Sequence, residues 1–367
     1  MRRTHLITFA LVIAAFVVVP FRVGAQQAQT SPDLAIDAAT RAAVIDILLK
    51  ELIDGYVFPE TAKKMEADIR SRVAAKEYDS VTSAQEFAKK LTTDLQSVSK
   101  DKHVRVRYSH TPIPMRKDRG EPTEAEREQA RWMNKRINFG FEKVERLNGN
   151  IGYIDLRGFN DHEAGAETVA AAMAFLQNTE ALIFDLRQNG GGSPYMIALI
   201  SSYLFGDKPV HLNDMYWRKS GKTDEFWTNP QLAKVKFTNK DIYVLTSNYS
   251  FSGAEEFSYN LKNLKRATII GETTGGGAHP GGMVRLHDHF GVFIPVGRAI
   301  NPISKTNWEG TGVEPDIKIP KDQALKTAYL MALNKSLANI KDEQVQGGVK
   351  GLIAQTQKEL DELKAQK

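Results

Sequence analysis

The feature that most constrains this chain is a regular alternation of short apolar runs with segments of helical periodicity between residues 151 and 270. The apolar runs fall at residues 151–156, 181–186, 242–245 and 268–270, and the helical segments at residues 164–176, 194–203 and 254–261. Helical crossovers place successive strands parallel in one sheet and the helices over its faces. The sequence therefore predicts an α/β fold with a mostly parallel sheet, preceded by a hairpin turn at Asn148-Gly149.

A helical region precedes this predicted sheet. Apolar residues at helical spacing predict three helices between residues 33 and 99, followed by a short strand that starts at His103. The polar, proline-containing residues 110–136 predict a connector with one exposed helix. We expect a signal peptide at residues 1–25, an N-terminal helical domain at 33–110, a linker at 111–137, a core domain at 138–320 and a C-terminal helical tail at 321–367. Two helical stretches are expected in the tail, with a break at Gly347-Gly348.

The amino terminus has the pattern of an export signal. Two arginines precede a mostly apolar run at residues 6–21, and small residues follow at the spacing a signal peptidase needs. We expect cleavage after Ala25 and a periplasmic or secreted bacterial protein, with a loose membrane association only before cleavage. A retained membrane anchor is the alternative, but Pro20 interrupts the run, which is short for a hydrocarbon core of about 30 Å.

Charge and composition exclude several function classes. The formal net charge is +5, from 49 basic and 44 acidic residues, and removal of the three arginines of the signal leaves 46 basic residues and a net charge of +2. No stripe of Lys and Arg with interleaved aromatics is present, so nucleic acid is not an expected partner. The chain has no cysteine, which excludes disulfides and thiol chemistry.

One serine lies at a position suited to nucleophilic chemistry. In residues 245–257, LTSNYSFSGAEEF, an apolar strand passes through a turn into an amphipathic helix, with Ser252 at the foot of the helix. The unpaired N–H groups and the dipole of a helix N-terminus favour an oxyanion there. Gly253 allows close backbone approach, and its N–H is a natural oxyanion donor. This run alone fits a nucleophile and a simple helix cap equally well.

A second motif, DLRQNGGG at residues 185–192, also joins a strand to a helix. Its glycines can expose consecutive N–H groups and so supply a second oxyanion donor, or they can simply turn a corner. A phosphate cradle is disfavoured because neither the GxxxxGK[ST] nor the GxGxxG spacing is present. A serine nucleophile needs a general base, and among the eight histidines the residues leave His103 and His279 eligible.

These motifs, together with GETTG at residues 271–275, resemble the tail-specific, or C-terminal processing, serine peptidase family. Within that family the chain is similar to the branch that contains tricorn core protease and the interphotoreceptor retinoid-binding protein modules, over residues 35–320. The resemblance implies a ClpP/crotonase-like β-α peptidase domain. It also implies a serine-type peptidase that acts on a peptide or protein through an acyl-enzyme, without a cofactor or a metal.

The resemblance assigns the nucleophile and the oxyanion donors. Ser252 matches the family nucleophile, and Gly253 after it matches an oxyanion donor. Gly191 is the choice for the second donor, with Gly190 as the alternative. The processing branch carries a lysine base after the Gly-Glu-Thr motif, and because Gly277 stands at the matching place, a Ser-Lys dyad is excluded there.

The resemblance also assigns the base and its partner. The tricorn-like branch takes its histidine from the segment before the peptidase domain, which His103 matches, and Glu309 matches the glutamate that orients it. Lys102 stands where tricorn has a serine in the relay. Either Glu309 contacts His103 directly, or a water or another hydroxyl takes the place of that serine between them.

Two other functions are compatible with the architecture. A catalytically inactive binding module for an apolar small ligand or peptide is the main alternative, because the retinoid-binding relatives hold ligands of that kind. The presence of serine, histidine and glutamate together favours the enzyme. A crotonase-like acyl-CoA enzyme is disfavoured, since an exported protein meets no coenzyme A. Residues 104–150 are too few for a PDZ module of about 85 residues, so we expect the N-terminal helices to form a lid that carries His103 to the site.

Overall fold

The structure is a computed structural model that describes residues 32–115 and 123–366. The predicted signal peptide lies outside these residues. Within the described ranges, no helix is long and apolar enough to cross a membrane.

The helices are α1 (Ala38–Gly55), α2 (Pro59–Ala74), α3 (Ala84–Ser99), α4 (Glu124–Arg136), α5 (His162–Leu176), α6 (Pro194–Ser202), α7 (Gly253–Asn263), α8 (Lys321–Leu337) and α9 (Glu343–Ala365). The strands are β1 (Arg105–Tyr108), β2 (Phe141–Leu147), β3 (Ile151–Leu156), β4 (Ala181–Asp185), β5 (His211–Trp217), β6 (Lys222–Trp227), β7 (Asp241–Thr246), β8 (Thr268–Gly271), β9 (Gly281–His287), β10 (Phe290–Pro295), β11 (Gly297–Ile300) and β12 (Ile317–Lys318).

The central sheet has the order β12-β8-β7-β4-β3-β2. Strands β3, β4, β7, β8 and β12 pair in parallel, and β2 pairs antiparallel with β3 across the predicted hairpin. The α/β fold with a mostly parallel sheet is therefore confirmed. Because the carboxyl ends of parallel strands meet at one edge, the loops after β4, β7 and β8 lie near one another.

Both faces of this sheet are apolar because helices cover both. In β4, Leu182 and Phe184 face a core built with α5, α6 and α7. Ala181 and Ile183 face a second core built with α8 and α9. Such continuous apolar strands are typical of a sheet that is buried on both sides. The C-terminal helices thus form the third layer of the fold.

The N-terminal helices share a core and a sheet with the rest of the molecule. Strand β1 pairs antiparallel with β10, with Val106 opposite Val292. Apolar residues of α1, α2 and α3 pack in one cluster with Leu286, Phe290 and Ile294 of β9 and β10. The predicted domain boundaries stay a prediction, but this interface fixes the loop between α3 and β1, which carries His103.

Two parts of the fold were not foreseen in the sequence. Strands β5, β6 and β11 form a separate antiparallel sheet with the order β11-β5-β6, and β9 and β10 form a hairpin beside β1. In the connector, α4 has no buried residue, as expected for an exposed helix.

The predicted break in the tail at Gly347-Gly348 is wrong. Helix α9 runs through both glycines, and the chain instead breaks before Asp342, whose side chain accepts the Val345 N–H at 2.9 Å. A glycine in a helix costs about 1 kcal/mol relative to alanine. Packing of Val349 in the core shared with α8 outweighs this cost.

Phe87 tests the packing between the N-terminal helices and the β9-β10 hairpin. It is fully buried in α3, and its ring makes an edge contact with Phe290 of β10 at 5.9 Å between centroids. We expect Phe87→Ala to lower the free energy of unfolding by about 3–5 kcal/mol, because it leaves a cavity at this junction. Denaturant unfolding measures the change.

The matched control is Phe175→Ala, since Phe175 is 63% exposed, and we expect a change within about 0.5 kcal/mol. An equally small effect of Phe87→Ala would mean that the junction contributes little to stability.

Candidate active site

Ser252 lies at the carboxyl edge of the central sheet, on the loop that joins β7 to α7. Its backbone has φ 54° and ψ −117°, a region that residues other than glycine rarely adopt and that costs on the order of 1–3 kcal/mol. The side chain is half-buried, and α7 begins at the next residue. A strained strand-turn-helix of this kind presents a serine hydroxyl above the sheet.

Glu255 holds this strained turn in place. One of its carboxylate oxygens accepts the Ser252 N–H at 2.8 Å and the Gly277 N–H at 2.8 Å. The other accepts the Gly276 N–H at 2.6 Å and the Thr274 hydroxyl at 2.5 Å. Glu255 thus connects the Ser252 turn to the loop after β8.

The glycine motif after β4 lies directly against Ser252. Gly191 has φ 107°, and a Cβ there would lie 2.8 Å from the Cβ of Ser252 and 2.7 Å from the N of Gly253. Only glycine fits, both for its backbone conformation and for this close approach. The structure therefore brings Ser252, Gly253 and Gly191 together.

The N–H of Gly191 already has a partner. It donates to the side-chain oxygen of Asn189 at 2.8 Å, and the Asn189 amide in turn donates to the Leu156 carbonyl at 2.9 Å. The N of Gly192 lies on the other side of this turn, and a Cβ on Gly253 would come within 2.8 Å of it. Asn189 is thus a positioning residue for the glycine loop, and Gly192 is a neighbour of Gly253 that sequence reasoning did not consider.

His103 packs against the loop that carries Ser252. Its ring centroid lies 4.6 Å from that of Phe251, the residue before Ser252, and it stacks on Phe293 of β10 at 5.6 Å. A Cβ on Gly277 would lie only 2.6 Å from the Cε1 of His103 and 2.2 Å from the Cζ of Phe251. The imidazole therefore occupies the space that any side chain at position 277 would need.

Asp101 is the centre of a buried polar cluster beside this imidazole. Its Oδ2 accepts the Nδ1–H of His279 at 2.8 Å and the hydroxyl of Tyr56 at 3.1 Å. Its Oδ1 accepts the backbone N–H of His103 at 2.9 Å and lies 3.7 Å from the His103 Nδ1. Two stretches of chain 178 residues apart meet at this carboxylate.

Glu309 lies at the other side of the cluster. Its Oε2 accepts the Ala278 N–H at 2.5 Å and is 3.4 Å from the Nδ1 of His279. Its Oε1 and the Nδ1 of His103 are buried without a hydrogen-bond partner. These two atoms therefore make no hydrogen bond to each other, and the expected direct contact between Glu309 and His103 is not formed. Asp101 is the carboxylate beside the His103 Nδ1.

Burial sets the charge states of this cluster. Burial lowers the pKa of His103 to about 4, although the Asp101 charge opposes it. Burial and the Asp101 charge raise the pKa of Glu309 to about 7. Although burial opposes it, the hydrogen bond and charge of His279 hold the pKa of Asp101 below its usual range. At neutral pH the site therefore contains an uncharged His103 beside an ionised Asp101.

Sequence reasoning anticipated part of this arrangement. His279 was left eligible as a base, and in the structure it contacts Asp101 and Glu309 rather than the Ser252 loop. The side chains of Asp101 and Tyr56 were missed, although Asp101 stands two residues before His103. Lys102, whose contribution was open, donates to the Gly275 carbonyl at 2.6 Å, so it ties the His103 loop to the loop after β8.

Two family models match most of the described chain. The model of peptidase family S41 matches residues 150–319, and that of the N-terminal domain of peptidase S41 in eukaryotic IRBP matches residues 35–143. Together they span well over half of the sequence. The first covers the Ser252 and glycine loops, and the second covers the segment that carries His103.

Individual relatives agree with these models. A carboxyl-terminal-processing peptidase 2 from Arabidopsis thaliana is 31% identical over 172 residues, which are 47% of this chain and 32% of the relative. A tail-specific protease from Haemophilus influenzae is 30% identical over 153 residues, which are 41% of this chain and 20% of the relative. The chain thus spans a third or less of the length of either relative.

Among solved structures, a provisionally named peptidase from Parabacteroides merdae aligns with a TM-score of 0.56 and 19% identity, over 80% of this chain and 96% of the other. At this identity the likeness concerns the fold alone.

Gly277 offers a test of the His103 position. We expect Gly277→Ala to slow the reaction of Ser252 with a fluorophosphonate about 100-fold, because the new Cβ displaces the imidazole and the Phe251 ring by roughly an ångström. The matched control is Gly282→Ala, where a Cβ meets nothing within 4 Å. Equal labelling rates in the two variants would contradict the placement of His103.

The pKa of His103 gives a pH dependence with a definite sign. A general base must be unprotonated, so the labelling rate of Ser252 should fall as the pH drops through about 4, rather than through the ordinary histidine value of about 6.5. A second inflection near pH 7 is expected if the Glu309 charge assists the reaction, and Glu309→Gln should abolish it while the inflection near 4 remains. A single inflection near 6.5 would show that the reacting His103 is hydrated.

Proposed function

Because the chain belongs to peptidase family S41, we propose that it is an exported serine-type peptidase that cleaves peptide bonds through an acyl-enzyme. Ser252 is the nucleophile, His103 is the general base and acid, and backbone N–H groups beside Ser252 form the oxyanion hole. Asp101 and Glu309 are the acidic partners of the imidazole. The substrate is a peptide or protein.

One observation carries this proposal. The imidazole of His103, delivered by the N-terminal segment, packs on Phe251 next to the strained Ser252 turn. A serine that serves only as a helix cap bonds to backbone N–H groups, and this role requires neither a strained backbone nor a buried imidazole beside it. The combination supports a nucleophile with its base.

The chemistry follows from these positions. The Ser252 oxygen attacks the scissile carbonyl carbon while its proton passes to the Nε2 of His103, the ring nitrogen that is not beside Asp101. The carbonyl oxygen becomes an oxyanion, held by the Gly253 N–H and by a donor of the glycine loop. The C–N bond then breaks as His103 returns the proton to the leaving amine. A water molecule, deprotonated by the same imidazole, releases the acid product from Ser252.

The second oxyanion donor comes from the loop of residues 190–192. Gly191 can serve if its N–H turns from the Asn189 side chain to the oxyanion, and Gly190 is the alternative that the sequence offered. Gly192 is a third option because its nitrogen lies against Gly253. In each case the loop presents its donor beside the nucleophile without a side chain in the way.

The buried carboxylates stabilise the imidazolium that forms during the reaction. Asp101 is ionised and lies 3.7 Å from the His103 Nδ1, so a movement of about 0.7 Å makes a hydrogen bond. Catalytic hydrogen bonds are often long before substrate binds and shorten in the complex. Glu309 adds a second negative charge when it is ionised, but in the structure its hydrogen bond goes to the Ala278 N–H and not to the imidazole.

Access and location complete the proposal. Residues 104–150 are too few for a PDZ module of about 85 residues, which supports direct access of the substrate to the site. The basic and apolar pattern of residues 1–25 supports export to the periplasm or beyond. The lack of cysteine is consistent with such a location, since no thiol needs protection from oxidation.

A fluorophosphonate probe tests the proposal without knowledge of the substrate. We expect purified protein without residues 1–25 to be labelled once, at Ser252, and to hydrolyse a generic unfolded protein. Ser252→Ala should abolish both signals, and His103→Leu should lower the labelling rate at least about 10³-fold. His211→Asn is the matched control, because the His211 ring pairs with Asp214 and stacks on Trp227, neither of which is a site residue.

The alternative function has a different outcome. A binding module for an apolar ligand would leave Ser252 unlabelled in the unsubstituted protein, at any pH between 4 and 9, and would make His103→Leu indistinguishable from it. That result would reject the peptidase and leave the binding function.

A further inference from the structure

We propose that Asp101, His103 and Glu309 form a binding site for a divalent metal of the zinc type, and that the bound metal inhibits the peptidase. One ligand atom from each of these residues lies within 4.8 Å of the other two. The site overlaps the catalytic cluster, and the metal is an inhibitor rather than a participant in the reaction. The inhibitory part of this inference rests on the proposed function, whereas metal binding does not.

The spacing of the ligand atoms suits zinc. Bonds of about 2.0–2.2 Å at tetrahedral angles place two ligand atoms roughly 3.4 Å apart. The Oδ1 of Asp101 and the Nδ1 of His103 are already 3.7 Å apart. The widest pair, at up to 4.8 Å, must close by up to about 1.4 Å, through rotation of the Glu309 side chain.

Two of the three ligand atoms lack other partners. The Nδ1 of His103 and the Oε1 of Glu309 are buried and make no hydrogen bond, and the His103 side chain is only 9% exposed. A buried polar atom without a partner costs about 1–3 kcal/mol. A metal between these atoms would satisfy both at once, which is a reason to expect a ligand here rather than a merely crowded cluster.

The surrounding hydrogen bonds orient the ligands as in known metal sites. The second oxygen of Asp101 accepts from His279 and Tyr56, and the second oxygen of Glu309 accepts from the Ala278 N–H. Such outer partners fix the direction of ligand lone pairs and raise affinity. One imidazole nitrogen with two carboxylates favours zinc and its neighbours over magnesium or calcium, which prefer sets of oxygen atoms only.

Inhibition follows from the proton count of the imidazole. A neutral histidine has one nitrogen with a lone pair and one that bears the proton. If the metal takes the lone pair of Nδ1, the proton stands on Nε2, and the ring can no longer accept the proton of Ser252. The metal also neutralises the carboxylates that would stabilise the imidazolium. Occupation of the site therefore turns the base off without contact with the nucleophile.

Calorimetry tests metal binding independently of activity. Metal-free Ser252→Ala protein is titrated with zinc chloride, and we expect one zinc per chain. Cobalt(II) in the same protein should give the visible absorption of a tetrahedral site with nitrogen and oxygen ligands. Adding Glu309→Gln or His103→Leu should weaken zinc binding at least about tenfold, the smallest loss seen even when only outer partners are changed.

The matched control is again His211→Asn, which removes another histidine beside a carboxylate, with 2.7 Å between His211 Nε2 and Asp214 Oδ1, and should leave zinc affinity unchanged. Circular dichroism and thermal unfolding confirm that each variant is folded. The four proteins are Ser252→Ala and the same variant with Glu309→Gln, His103→Leu or His211→Asn added. Zinc affinity that is equal in all four, or lost only with His211→Asn, would overturn the site.

Labelling of Ser252 tests the inhibition. We expect zinc to suppress fluorophosphonate labelling of the unsubstituted protein at the concentration that calorimetry gives for binding, and a chelator to restore it. Binding at the site without any change in labelling would overturn the inhibitory role. Absence of labelling even in the metal-free protein would reject the proposed function, while one-to-one binding that depends on Glu309 and His103 would still support the metal site.

Discussion

The antiparallel pairing of β1 with β10 is the contact on which the candidate site depends. Through this pairing and the core around Phe290, the N-terminal helices become part of the molecule that contains the parallel sheet. The loop between α3 and β1 is thereby held over the carboxyl edge of that sheet. His103 is at the end of this loop, so its position relative to Ser252 is a consequence of strand register and core packing rather than of local sequence.

Two buried carboxylates hold separate loops in place at this edge of the sheet. Glu255 accepts hydrogen bonds from the backbone of Ser252 and of residues 276 and 277, so it fixes the Ser252 turn and the neighbouring loop in one geometry. Asp101 accepts from Tyr56 and His279 and from the backbone of His103, so it fixes the loop that carries the imidazole. Each carboxylate replaces lost hydration with several donors, which is the condition under which burial of an acid is tolerable.

The contact between Gly277 and His103 restricts the side chains that position 277 can hold. The family resemblance implies that the processing branch has a lysine at the position of Gly277, and here the space in front of that position holds the His103 ring. A side chain at 277 and an imidazole at 103 are mutually exclusive for steric reasons.

The sequence by itself determined the local structure: the β-α alternation, the turn at Ser252 and the tight glycine turn after β4 all follow from short stretches, because periodicity and glycine content act locally. Family resemblance added His103 and Glu309. Only the tertiary structure decided that Asp101 lies beside the His103 ring, that His279 binds Asp101, and that the tail helices cover the second face of the sheet. These facts depend on contacts between residues far apart in the chain, such as the 178 residues that separate Asp101 from His279, and local patterns carry no information about which distant side chains will meet in a folded core.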